Sequence, residues 1–242
     1  MIMFLISATT YVGLLVFIKP APSSLKTVPI TYIENLKLVR GSICSGVFIL
    51  FIFLLTTNFG FISVDENLYR TLALSNNSDQ LLRWPAQSVS HLFIHSNLIH
   101  LAANAIGLGL ASIYERRVGA KRYLAVLFVG SAASMPSILF YSENVAVSGI
   151  SGGVFGLAAA YFTDEKELST KEWLAAISLF VFLAILLAIE GEFKGRSSAA
   201  ADLRIDHIGH FLGALGAIIY CRLKPQRLTS QSTRTQKNCA DV

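Results

Sequence analysis

An all-α, polytopic membrane helical bundle is the fold class the sequence predicts, on three observations. Hydrophobic residues make up 53% of the 242 positions and charged residues only 14%, well below the roughly 25% charged residues of an ordinary soluble domain. The mean hydropathy is +0.57. The apolar residues also come in blocks: stretches free of Asp, Glu, Lys and Arg run over 1–18, 41–64, 84–114, 123–142, 144–163, 173–189 and 207–221. Several reach the roughly 20 apolar residues that a bilayer-crossing helix needs. This composition excludes both a soluble globular domain and a disordered chain.

Taken in order, residues 1–18 open the chain with an apolar run that no basic residue precedes, and no small-x-small site stands before Lys19. A retained transmembrane anchor is therefore expected rather than a cleaved signal peptide. Pro20, Pro22, Ser23 and Ser24 mark a linker, and a core of six helices begins near Gly41. The last apolar stretch, 207–221, would reach only about 22 Å, which implies a sunken or water-facing end. The expected organisation is a 1–41 anchor with basic linker, a 42–221 six-helix core and a 222–242 tail. Arg222, Lys224, Arg227, Arg234 and Lys237 make that tail basic, expected to be disordered and suited to anionic lipid. Asp164 to Glu172 reads as a solvated loop. Cys239-Ala240-Asp241-Val242 has the length of a prenylation box, but Asp241 is unsuited to it. Cys44, Cys221 and Cys239 are too scattered for a disulfide or zinc framework.

Basic residues orient the bundle. Alternate connections carry fifteen Lys and Arg against five, so the positive-inside rule places 19–40, 115–122, 164–172 and the C-terminal tail in the cytoplasm. The third, fifth and seventh spans then enter from outside. Their early residues share one depth: His91, His95, His100 and Asn104 on the third, Gly149, Ser151 and Gly152 on the fifth, His207 and His210 on the seventh.

Polar side chains at one membrane depth are costly and mark a functional site by default. A metal site is disfavoured, because no Asp, Glu or Cys accompanies the histidines and an i,i+5 spacing of His95 and His100 is poor for joint chelation. A proton or ion path would call for an acidic residue inside a span or a pair of broken helices. The glycines alone are explained by close helix packing. Nucleophilic catalysis uses every member: a serine beside a tightly packed backbone, a histidine base on a neighbouring helix and donors for an oxyanion. The i,i+4 spacing puts His100 and Asn104 on one helix face, where both can address one developing charge.

Three ordered motifs carry a family resemblance: Gly149-Ile150-Ser151-Gly152, His95-x4-His100-x3-Asn104 and His210-x2-Gly213. With Glu115-Arg116-Arg117-Val118-Gly119 at the end of the second core helix, the chain resembles the rhomboid intramembrane serine proteases over about 42–221. The resemblance implies Ser151 as nucleophile and His210 as general base, with His100 and Asn104 stabilising the oxyanion and His95 shaping the cavity mouth. His207, one turn before His210, is the rival base, but Gly213 stands at the motif spacing from His210. His91 and Ser90 are expected to help wet the cavity.

This sequence departs from the family pattern in three places. Phe155 stands where a tyrosine commonly stacks on the catalytic histidine, which keeps the aromatic face and loses the hydroxyl. Ala86-Gln87 occupies the place of a Trp-Arg pair, with Arg83-Trp84 slightly earlier and reversed, and the small-residue spacing after the base is Gly213-x3-Ala217. The function implied is a rhomboid-type serine endopeptidase cleaving transmembrane-helix substrates near the outer face. The alternative is an inactive rhomboid-like protein that binds such helices for trafficking or extraction. Expected partners are transmembrane protein substrates and membrane lipids, with no nucleic acid, cofactor or metal. A bacterial inner membrane with a cytoplasmic C-terminus is the expected location, and 173–189 is the expected lateral gate.

Overall fold

A computed structural model describes residues 2–17, 31–141, 145–164 and 206–225. The linker through residue 30, the loop after Asp164, the span expected at 173–189 and the tail beyond residue 225 lie outside the described residues. Helix α1 (Ile2–Phe17) is wholly uncharged. Helix α2 (Tyr32–Leu38) starts at a capping box between Thr31 and Glu34, which satisfies two otherwise unpaired amides of its first turn. A 74° bend then leads into α3 (Arg40–Thr56). Among the described residues, two helical runs are long and apolar enough to cross a bilayer unaided, Leu98–Val118 and Ala120–Phe140, and the bent α2–α3 pair qualifies as one more.

The span expected at 41–64 ends early, at Thr56. Thr56 and Thr57 turn their hydroxyls back onto the carbonyls of Ile52 and Phe53, and Asn58, Phe59 and Phe61 take positive φ, which no helix can accommodate. The stretch expected as one span over 84–114 is likewise two elements. Pro85 sits in the first turn of α5 (Trp84–Ser90), and the long helix α6 (Leu98–Val118) starts only after Asn97, whose side chain caps the His100 amide at 2.9 Å. Absence of charge marks membrane compatibility, whereas capping residues set where the helices start and stop.

Between α3 and α6 lie α4 (Glu66–Leu72), strand β1 (Leu74–Ser75) and a 3-10 turn at Ser78–Arg83. Strand β1 pairs antiparallel with β2 (Ala146–Val147), Leu74 opposite Val147 and Ser75 opposite Ala146. This two-residue pairing is a small addition to a mostly helical fold, and it replaces the first residues of the helix expected to begin at 144. Gly119, at φ +79°, joins α6 directly to α7 (Ala120–Ser134). A 3-10 turn at Met135–Phe140 containing Pro136 extends α7. Helix α8 (Ser151–Thr163) and α9 (His207–Leu223) complete the described elements.

Helices α7, α8 and α9 pack on one another through glycines. A Cβ on Gly130 would lie 3.1–3.2 Å from the backbone of Gly152, Gly153 and Gly156. On the other side α6 carries α1 and α3: the Tyr11 ring of α1 fills the notch left by Gly46 and Gly109, and its hydroxyl donates to the Ser42 carbonyl.

The opposite end of the bundle from Ser151 is tied by polar groups. Glu115, fully buried, accepts from the Gly41 amide at 2.6 Å and from the Ser42 amide and hydroxyl, both at 2.7 Å. It thereby caps α3, whose first amides have no intrahelical acceptor. Arg116 reaches Asn35 Oδ1 and the Leu15 carbonyl, each at 2.8 Å, and so covers the free carbonyl end of α1. Asp164 receives Arg122 at 2.7 Å and the Tyr114 hydroxyl at 2.6 Å, joining α6, α7 and the end of α8.

Glu115→Ala leaves two helix-end amides and a hydroxyl buried without partners, so it is expected to lower stability by about 2–5 kcal/mol. Glu115→Gln should fall between it and wild type. Glu66→Ala removes only an exposed pair with Arg70 and should change stability by less than about 1 kcal/mol. Thermal unfolding in detergent reads all three, and equal effects at 115 and 66 would contradict the capping role.

Candidate active site

Three helices begin at the same end of the bundle, and each presents polar residues in its first turns. In α6 the Asn97 cap fixes the first turn, so His100 and Asn104 stack along one face, with Asn104 Nδ2 donating to the His100 carbonyl at 3.0 Å. In α8 Ser151 is the first helical residue, and its amide and that of Gly152 belong to the set that a helix leaves without internal acceptors. In α9 the cap is Asp206, whose carboxylate accepts from the Gly209 amide at 2.7 Å.

The three starts converge. His210 Nε2 lies 2.8 Å from Ser151 Oγ. For Nε2 to accept the serine proton, the imidazole must carry its own proton on Nδ1, an atom with no hydrogen-bond partner among the described residues. The Phe155 ring stacks on the imidazole, with centroids 4.4 Å apart and planes 9° from parallel, so the aromatic face expected one turn after Ser151 is in place. His207, the rival base, is exposed, its ring 6.4 Å from that of His210.

The separation of α8 and α9 is set by backbone contact. Any Cβ on Gly213 would lie 2.8–2.9 Å from the backbone C and Cα of Gly152, and one on Gly156 would lie 3.2 Å from the Ala217 methyl. The Gly213-x3-Ala217 spacing thus meets Gly152 and Gly156 one helical turn apart. Gly149 has φ +97° and donates its amide to the His91 carbonyl at 2.7 Å. A Cβ there would fall 2.6 Å from His100 Nε2 and 3.7 Å from Asn104 Nδ2. Glycine is needed twice over at 149, for its dihedral and for the approach of two donors.

Other expected residues hold structure instead. His95 is fully buried, with Nδ1 on the Phe93 carbonyl at 3.2 Å and its ring 5.0 Å from that of His100. It packs edge-on against His100, with no exposed surface of its own. His91 is buried with Nδ1 against the Gln87 carbonyl, and half-buried Ser90 donates to the Leu72 carbonyl.

The loop between α3 and α6 anchors the approach to Ser151, and most of that anchoring escaped sequence reasoning. Gln87, standing where the family has arginine, is buried and donates to the Thr71 carbonyl at 3.2 Å and to Gln80 at 3.0 Å. Trp84 Nε1 donates to the Ser75 carbonyl at 2.7 Å, holding β1 where it pairs with β2. Asn76 takes the Val145 amide at 2.7 Å, and the Tyr69 hydroxyl meets Ser148 at 3.1 Å. Burial pushes the Tyr69 hydroxyl up to about 12, so it stays protonated there at neutral pH. The nearest sequence signals are a glutamine in an apolar stretch and an Asp directly before His207 in N-cap position.

A multi-helix membrane protein with a serine and a histidine in hydrogen-bond contact at the starts of two packed helices is the class that fold and site define. Residues 80–226 match the Rhomboid domain family model, and the chain belongs to the rhomboid family. No curated protein matches it significantly.

Gly213→Val is expected to push α9 off α8, to separate His210 from Ser151 and to cut labelling of Ser151 by a fluorophosphonate at least roughly 100-fold. Phe211→Ala, at an exposed position on the same helix, should label as wild type. A folded Gly213→Val protein labelled at the wild-type rate would show that this contact does not set the pair.

Proposed function

We propose that this protein is an intramembrane serine endopeptidase that cleaves transmembrane-helix substrates near the outer membrane face through a Ser151–His210 dyad. The observation that carries this reading is the 2.8 Å contact of His210 Nε2 with Ser151 Oγ, joined by the convergence of His100 and Asn104 on Gly149. Rhomboid-family membership supports it.

A substrate helix must unwind near its outer end to react, because its carbonyls are otherwise held in internal hydrogen bonds. Ser151 Oγ then bonds to the scissile carbonyl carbon while His210 Nε2 takes its proton. The carbonyl oxygen becomes an oxyanion, held by His100, Asn104 and the free amides at the start of α8. His210 passes the proton to the leaving nitrogen as the peptide bond breaks. Water, deprotonated by His210, hydrolyses the acyl-enzyme and restores Ser151.

In this proposal residues 1–41 supply an extra transmembrane anchor and linker, 42–221 a six-helix core and 222–242 a basic cytoplasmic tail beside anionic lipid. The positive-inside arrangement puts the C-terminus in the cytoplasm and Ser151 toward the outside, in keeping with a bacterial inner membrane. The twelve residues from Ser151 to Thr163 rise about 18 Å, which leaves the nucleophile in the outer part of the bilayer with a short path for water. Residues 173–189 serve as the lateral gate.

Fluorophosphonate labelling in detergent tests the dyad: wild type should label, whereas Ser151→Ala and His210→Ala should not. His100→Ala and Asn104→Ala should each lower kcat on a transmembrane substrate roughly 100- to 1,000-fold. A folded wild type that stays unlabelled, beside a rhomboid protease that labels, overturns the proteolytic reading in favour of helix binding without cleavage.

A further inference from the structure

His210 has no carboxylate on its imidazole among the described residues, yet a carboxylate stands one turn away. Asp206 Oδ1 accepts from the Gly209 amide at 2.7 Å and from the Tyr141 hydroxyl at 2.9 Å, and Oδ2 accepts from the Ser137 hydroxyl at 2.5 Å. The Asp206 carbonyl also accepts the His210 amide at 3.0 Å. One residue therefore closes the turn that carries His210 and bonds it sideways to the end of α7. Ser137 is fully buried, so its bond to Asp206 is shielded from competing water.

Capping alone would need only the bond to Gly209. The two side-chain donors come from a different element, the 3-10 turn at Met135–Phe140 and the residue after it. They bind both oxygens, which restricts sliding and rotation of the first turn of α9. Gly209 completes the arrangement: a Cβ there would lie 2.6 Å from Asp206 Cγ, so glycine lets the carboxylate fold over the helix end.

We propose that Asp206 is a positioning residue for the dyad. Its carboxylate, bridging the start of α9 to Ser137 and Tyr141, holds His210 in register with Ser151, doing through the backbone what the acid of a triad does through the ring. This role rests on the proteolytic reading of Ser151 and His210. The turn at 135–141 thereby becomes part of the apparatus that sets proton-transfer geometry, where misplacement by about 1 Å costs on the order of 100-fold.

The experiment measures kcat and KM on a transmembrane substrate, the fluorophosphonate labelling rate and the thermal midpoint for wild type and four variants. Asp206→Ala should lower kcat and labelling roughly 10- to 100-fold with KM nearly unchanged. Asp206→Asn is the discriminating variant. Asparagine caps helices as well as aspartate does and should restore the midpoint, but its amide nitrogen can meet Ser137 only by donating to a hydroxyl turned round, a neutral bond weaker than the charge-assisted one, so kcat should stay several-fold low. The double variant Ser137→Ala/Tyr141→Phe removes the bridge and keeps the cap, and should resemble Asp206→Asn. Gly209→Ala favours helix by propensity, yet should slow labelling by displacing the carboxylate.

Wild-type kcat in Asp206→Asn, or in the double variant, would reduce Asp206 to a helix cap and overturn the proposal. So would a lowered midpoint with an unchanged labelling rate for the folded protein. A wild type that does not label at all overturns the proteolytic reading itself, an outcome distinct from these.

Discussion

The approach of α8 to α9 at Gly152 and Gly213 is the constraint on which the rest of the site depends. With hydrogen as the only side chain at both positions, the helix backbones meet in van der Waals contact. In a lipid-facing protein such packing replaces the hydrophobic drive that would hold helices together in water. The contact lies one residue after Ser151 and three after His210, so the two side chains inherit their 2.8 Å separation from the backbone. Gly130 brings α7 against the same strip of α8, and the serine sits at the head of a three-helix junction with little freedom to shift.

Among the described residues no carboxylate meets the His210 imidazole, so its orientation needs another source. Stacking on Phe155 fixes the plane of the His210 ring, and a stacked face tolerates a change of charge on the imidazole without supplying a counter-charge. Phenylalanine meets that need as tyrosine would, since the ring makes the contact. Asp206 acts on the backbone of the same residue from the other side, so ring plane and helix register are held by separate means.

The two ends of the bundle divide the work. At the end away from Ser151, buried polar side chains close the termini of helices: Glu115 at the start of α3, Arg116 and Asn35 at the end of α1, Asp164 between α6, α7 and α8. In hydrocarbon an unmet backbone amide or carbonyl costs several kcal/mol, which explains why charged groups are spent there. At the Ser151 end the first amides of α8 have no acceptor within the helix, and in the proposed function they meet a substrate oxygen. The chain that leads to them is held by the paired strands and by Trp84, Gln87, Asn76 and Tyr69.

Much of this was legible in the chain by itself. Charge-free blocks determined the membrane class, and the resemblance of three motifs to the rhomboid pattern named Ser151, His210, His100, Asn104 and Gly213, with helical periodicity alone joining His100 to Asn104. The same resemblance set Phe155 against His210, whose rings stack. Local rules did not reach the early end of α3, the split of 84–114 or the pairing of β1 with β2, since absence of charge says nothing about where a cap or a positive φ interrupts a helix. Nor did they reveal that His91 and His95 are buried, that Ser90 binds the Leu72 carbonyl, or that Gln87 and Asp206 bind partners distant in sequence. Ser137 and Asp206 are 69 residues apart. Which donors meet which acceptors over such separations depends on how the helices pack, and only the tertiary structure decided that.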